Sequence, residues 1–208
     1  MVIGITGSIS AGKSSVLNIL KDIGVFTISA DEVYHQMIKP SMPIFNSLIE
    51  EWGKDILDID GNIDRNELSK IVFADPVKLK RLNEITHPAI IGEIKKTISE
   101  NKNRDIVVEI PLLFETKCEY LVDVIWYVDI SRENRISRLM NRNNILREEA
   151  IKKIEKYKYY GDLADVIIYN DGTFEDLKNR VVKLWNERED KNLSNSETNN
   201  LNKIRNIS

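Results

Sequence analysis

Sulfur, surplus positive charge and long apolar runs are what this sequence has least of. Cys118 is its only cysteine. An internal disulfide and a cysteine-based metal site are therefore excluded, and a reduced, structurally minor thiol in a cytosolic protein is the expected state. With 30 Lys and Arg against 33 Asp and Glu, the formal net charge is −3, so no basic field draws nucleic acid and it is disfavoured as the main substrate. No apolar run approaches the ~18 residues of a membrane span. The apolar start, broken by glycine after about five residues, falls short of the roughly 7–15 residues of a signal-peptide core. The expected setting is the cytoplasm, without membrane or nucleic-acid partners, as a monomer or small homo-oligomer. At 208 residues, 42% of them apolar, the chain suits one globular domain carrying an insertion.

What is present centres on Gly7-Ser8-Ile9-Ser10-Ala11-Gly12-Lys13-Ser14. The stretch fits G-x-x-x-x-G-K-[ST] and lies between an apolar run, Val2 to Ile5, and a helix-like run, Ser15 to Lys21. Backbone N–H groups of such a loop converge on one concavity, and the helix that follows adds unpaired donors and the positive end of its dipole. Phosphate is the natural guest, and a nucleoside triphosphate the expected ligand. Gly7 lets the chain turn sharply, Gly12 lets the backbone approach phosphate oxygens, Lys13 reaches the β and γ phosphates, and Ser14 offers a hydroxyl to Mg2+.

Strand and helix then alternate. Val25 to Ile28 reads as a second strand ending at Ser29-Ala30-Asp31. Ligands of open α/β sheets bind outside the carboxyl ends of strands, so Asp31 is either an active-site carboxylate or the N-cap of the next helix. From residue 39 to 100 the alternation stops. Ile44–Trp52, Glu67–Phe73, Val77–Ile85 and Ala89–Ile98 read as separate helices, with His87-Pro88 marking a helix start. This insertion is where an acceptor substrate is expected. A third strand, Asp105 to Ile110, carries Glu109 near its end; an apolar run ending in an acid resembles the magnesium-side strand of nucleotide enzymes, but Glu109 reads first as a strand-end polar residue. In the fourth, Val122 to Ile130, Trp126 and Tyr127 are expected to pack.

Arginines concentrate after the fourth strand. Arg135, Arg138 and Arg142 are spaced i, i+3 and i+7 on one helical face. Guanidinium groups fork onto phosphoryl oxygens and keep their charge, so behind a phosphate loop this face reads as a lid. A polar helix from Arg147 to Tyr160, a fifth strand from Asp165 to Tyr169 and a last helix from Thr173 to Glu187 complete the expectation. Asn170-Asp171-Gly172 either reads an adenine edge or simply turns the chain.

Together, the glycine loop, Ser29-Ala30-Asp31, Ile63-Asp64-Arg65, His87-Pro88, Pro111-Leu112-Leu113-Phe114-Glu115, the arginine helix and Ala164-Asp165 ahead of Asn170-Asp171-Gly172 resemble the dephospho-CoA kinase family. The resemblance spans about residues 1 to 187. It implies a P-loop nucleoside triphosphate hydrolase-like α/β/α fold with a five-stranded parallel sheet, in which residues 1–38 and 101–187 form the core. The lid then covers about 131–160, residues 39–100 bind the acceptor, and 188–208 form a disordered polar tail. It further implies transfer of the ATP γ-phosphoryl, with Mg2+, to the ribose 3′-hydroxyl of dephospho-CoA. Carried over, Ser10, Ala11, Gly12, Lys13, Ser14 and Ser15 hold ATP phosphates and Asp31 faces the acceptor hydroxyl. Arg65, His87 and Glu115 line the acceptor side, Arg138 and Arg142 belong to the lid, and Asn170 lies near adenine. Ser8 and Ser10 stand where the family's loop usually has glycine, so no unusual φ is expected there. Ser29 replaces an Asp, and Lys156, Lys158, Tyr159 and Tyr160 replace an expected Gln and Lys. The rival readings are another small-molecule P-loop kinase, for nucleosides or nucleoside monophosphates, and a nucleotide-dependent switch; no guanine-reading N-K-x-D element is present.

Overall fold

The computed structural model describes residues 1–188; the expected tail lies outside them except for Arg188. Five parallel strands, β1 (Val2–Gly7), β2 (Phe26–Ser29), β3 (Ile106–Glu109), β4 (Val124–Asp129) and β5 (Val166–Tyr169), are ordered β2-β3-β1-β4-β5. Side chains of successive strand residues point to opposite faces, so a strand covered on both sides is apolar throughout. In β3, Val107 faces one hydrophobic cluster while Ile106 and Val108 face another. The first cluster takes in α1 (Lys13–Asp22) and α8 (residues 174–188), the second α2 (Ala30–Met37) and α5 (Pro76–Glu100). The register sets Ile5 and Ser29 beside Glu109, so the loop after β1, the start of α2 and the end of β3 meet at the carboxyl edge of the sheet.

Between α2 and α5 lie α3 (Pro43–Trp52) and α4 (Arg65–Phe73), packed around Leu48, Ile56, Leu68 and Val72. Asp64 caps α4 through its carboxylate and Asp75 caps α5, each followed by residues that suit a first turn. The expected break at His87-Pro88 is absent: α5 is one 25-residue helix with Pro88 inside it. Proline removes one rung of the hydrogen-bond ladder, but Ile85 and Ala89 pack into the α3–α4 cluster while Ile91 and Ile94 pack on the sheet, and Ile90 touches both. Packing on both sides of the proline holds the helix continuous.

After β4 come α6 (Arg132–Asn143) and α7 (Arg147–Glu155), closed on each other by Ile136, Leu139, Ala150 and Ile154. The second of these is shorter than expected. It stops at Glu155, and residues 156–160 form an irregular strap instead of a helix. No helix among the described residues is long and apolar enough to cross a membrane.

Candidate active site

The turn out of β1 depends on glycine. Gly7 has φ +147°, and a Cβ there would fall on the main chain of Val128. Ser8 anchors the next residue from below. Its N–H donates to the Val128 carbonyl at 3.0 Å, its hydroxyl donates to Asp129 at 2.7 Å, and the Tyr127 hydroxyl lies 3.1 Å away. Ser10 corrects an expectation: it sits at φ +60°, in the left-handed region, with a buried hydroxyl that has no hydrogen-bond partner. The loop's curvature is thus kept although its residue is not glycine, at a cost of ~1–2 kcal/mol. Gly12, at φ +97°, is needed on a different side from the expected one. A Cβ there would strike the side-chain amide of Asn170, and Arg138 lies beyond it.

Gly12 is also the N-cap of α1 and brings no side chain to it, and no acidic residue occupies the first turn. The helix N-terminus therefore keeps its donors and its positive potential for an anion. Lys13 curls over the loop, its Nζ donating to the Gly7 and Ser8 carbonyls at 3.1 Å each. Burial holds its pKa below the usual 10.5, with Glu109 and Asp31 pulling the other way.

Glu109 is the residue of this edge that sequence reasoning undervalued. It is only 3% exposed, and its carboxylate accepts the Ser14 hydroxyl at 3.2 Å. Burial pushes its pKa up from the ordinary range, opposed by Lys13 and Ser14. The sequence signal was there: an acid ending an apolar strand, read against a glycine loop two strands away. Asp31 is not a cap. Ser29 caps α2, accepting the Glu32 N–H, and Asp31 occupies the first helical turn. Its carboxylate borders the cavity above the loop.

That cavity, about 890 Å³, runs from the loop to the α6–α7 pair and takes in Lys13, Ser14, Glu109, Glu115, Arg138 and Arg142. Tyr127, expected only to pack, lines it as well. The three arginines that share a face of α6, Arg135, Arg138 and Arg142, have separate positions. Arg135 is spent on Asp129 at 2.8 Å and on the Ile130 carbonyl, as a largely buried pair at the root of the helix. Arg138 donates to the carbonyls of Asn170 at 2.9 Å and Ala11 at 3.4 Å, while Arg142 reaches the cavity. Asn170 is buried, and its amide donates to the Ala11 carbonyl at 2.7 Å. Its side chain braces the back of the loop.

A second cavity of about 730 Å³ lies between α2, α4 and α5. Its walls are mostly apolar, from Leu68, Val72, Leu82 and Ile90, with Asp31, Tyr34, Arg65, Asn83 and His87 among the polar points. Arg65 is hydrogen-bonded to the His35 ring, and burial lowers the His87 pKa below its usual 6.5. Of the acceptor-side expectations, Arg65 and His87 come together here and Glu115 does not; it opens on the first cavity. Asp31 borders both.

A phosphate-gripping loop at the carboxyl edge of a parallel sheet, a helical pair carrying arginines over it and a second cavity across one carboxylate define a P-loop kinase. The comparisons with known proteins carry this further. The chain belongs to the dephospho-CoA kinase family, whose sequence model matches residues 1–176. A dephospho-CoA kinase of Carboxydothermus hydrogenoformans is 42% identical over 193 residues, covering 88% of this chain and 92% of that one. Among solved structures, dephospho-CoA kinase from Campylobacter jejuni superposes with a TM-score of 0.67 at 28% identity, covering 92% of this chain and 98% of the other. The Thermus thermophilus protein TT1252 gives 0.69 at 28% identity over 90% and 97%. The family's activity is ATP-dependent phosphotransfer, the final step of coenzyme A biosynthesis.

Proposed function

We propose that this chain carries ATP in the first cavity and dephospho-CoA in the second, and moves the γ-phosphoryl group to the ribose 3′-hydroxyl past Asp31. The single observation that carries the residue assignment is the place of Asp31 on the border of both cavities. Phosphoryl transfer asks little covalent chemistry of a protein; alignment and neutralisation of charge on the equatorial oxygens do most of the work. Ser10 to Ser15 grip the phosphates with main-chain N–H groups. Lys13 leaves the Gly7 and Ser8 carbonyls for the β and γ phosphates, and Arg138 and Arg142 close from above. Asp31 takes a hydrogen bond from the acceptor hydroxyl and accepts its proton late, as bond formation makes that proton acidic. Arg65 and His87 hold the acceptor, and Glu115 flanks the phosphates. Because the Asn170 amide is already engaged with Ala11, main-chain groups of that loop are left to read adenine.

A hydroxyl and a carboxylate in contact, Ser14 and Glu109, form a hard oxygen pair of the kind Mg2+ takes alongside phosphate oxygens and waters. Mg2+ bound there supplies positive charge to the phosphates. We place the reaction in the cytoplasm, where a lone buried thiol such as Cys118 is ordinarily kept reduced.

A coupled assay of ADP release tests this reading, with dephospho-CoA compared against a panel of nucleosides and nucleoside monophosphates. Turnover is expected with dephospho-CoA and near background with the panel; the reverse ranking refutes the acceptor assignment.

A further inference from the structure

We propose that Tyr157 walls the transfer path between the two cavities, and that its ring keeps water from taking the place of the acceptor. The inference rests on the function proposed above. Four residues border both cavities: Asp31, Pro111, Leu112 and Tyr157. The first three stand just past the ends of β2 and β3, fixed to the sheet. Tyr157 alone arrives from the other side, on the strap that follows α7.

The strap is pinned so that this side chain reaches the border. The Tyr160 ring stacks on Phe114, centroids 4.9 Å apart and planes 22° from parallel, and the Tyr159 ring meets Tyr127 edge-on at 5.3 Å. Upstream, the Tyr157 N–H donates to the Ile154 carbonyl at 3.0 Å, tying it to the end of α7. Between these anchors Tyr157 is half exposed, and among the described residues its side chain has neither a hydrogen bond nor a ring contact. An aromatic ring half exposed on the border of two cavities has part of its apolar face available for bound substrates. The adjoining Lys158 opens on the nucleotide side only.

The chemistry gives that face a use. In transfer, the bond between the γ-phosphorus and the bridging oxygen of ADP breaks, a bond to the acceptor oxygen forms, and the hydroxyl proton leaves to Asp31. Water in the acceptor's place undergoes the same exchange and yields ADP and inorganic phosphate. Both paths cross the border between the cavities, so an apolar ring there disfavours the smaller nucleophile by excluding it.

The test compares the native chain with Tyr157→Ala and Tyr157→Phe, reading ADP, CoA and inorganic phosphate separately with ATP and dephospho-CoA present. Tyr157→Ala is expected to raise the ratio of phosphate to CoA about ten-fold, and Tyr157→Phe to keep the native ratio. An unchanged ratio in the alanine variant overturns the proposal, and so does a phenylalanine variant that behaves like alanine, since the hydroxyl would then be the active part. Failure of the native chain to form CoA refutes the functional reading itself, an outcome separable from either of these.

Discussion

Replacing Asp31 by Asn separates the chemistry from the scaffold more cleanly than any other single change in this protein. The carboxylate makes no hydrogen bond among the described residues, so the amide leaves no orphaned partner. Three small effects on stability partly offset one another. Asp31 lies in the first turn of α2, where a negative charge contributes ~0.3–1 kcal/mol through the helix dipole. It also repels Glu109 and attracts Lys13, and losing both together returns little. The net change in stability should fall within about 1 kcal/mol, a shift of about two to four degrees in melting temperature. Catalysis should respond very differently. A positioned base contributes ~10²–10⁴-fold, or about 3–5 kcal/mol of barrier, and the amide keeps the shape without the basicity. Three measurements decide the matter: kcat from coupled ADP release, ATP affinity by calorimetry, and a thermal melt. The expected outcome is a kcat lower by two orders of magnitude or more, with near-native ATP binding and melting. A kcat within about threefold of native, about 0.7 kcal/mol by the same conversion, refutes the base assignment.

Glu109→Gln carries a pH signature. Because burial raises the folded-state pKa of Glu109 above its ordinary 4.5, the protonated form favours folding, and this contribution is lost as pH rises from 4.5 through the folded value. The variant's melting temperature relative to native should therefore climb between pH 4 and pH 7; a flat difference across that range contradicts a buried carboxylate. Ser10→Gly should stabilise the ligand-free protein by ~1 kcal/mol, through relief at φ +60° and removal of an unpartnered buried hydroxyl, less the greater chain entropy of glycine. Urea unfolding reads this directly, and a loss of stability would show that the hydroxyl has a role in the empty loop. Arg138→Ala should lower kcat by more than it raises the dissociation constant for ATP; unchanged kcat with weaker ATP binding would instead place Arg138 on the ground state.

The parts of this molecule that were legible in its sequence are those governed by local rules. Gly7 and Gly12 at fixed spacing between an apolar run and a helix-like run identified the phosphate loop, because few backbones other than a turn at positive φ fit that pattern. Alternation of strands and helices pointed to an open α/β sheet, and the family resemblance implied five parallel strands. What local reading missed depended on partners distant in the chain. Pro88 looks like a helix start until Ile90 is seen to pack on two clusters at once. Glu109 looks like the polar end of a strand until Ser14, 95 positions away, donates to it. Arg135, Arg138 and Arg142 share a helical face, but the Asp129 carboxylate claims the first and main-chain carbonyls hold the second. Tyr157 gave no signal, since neither its neighbours nor its spacing distinguishes an aromatic residue at a seam from one on an ordinary surface.

The unbroken passage of α5 through Pro88 bears on how such an enzyme can move. One rod is embedded at its first half among α3 and α4 and at its second half against the sheet, so the side proposed to hold the acceptor is tied to the same frame that carries the phosphate loop. Neither can lean toward the other to shorten the distance a phosphoryl group must cover. The gap between them is set when the chain folds, and on the function proposed above closing over bound ATP falls to the arginine-bearing α6–α7 pair.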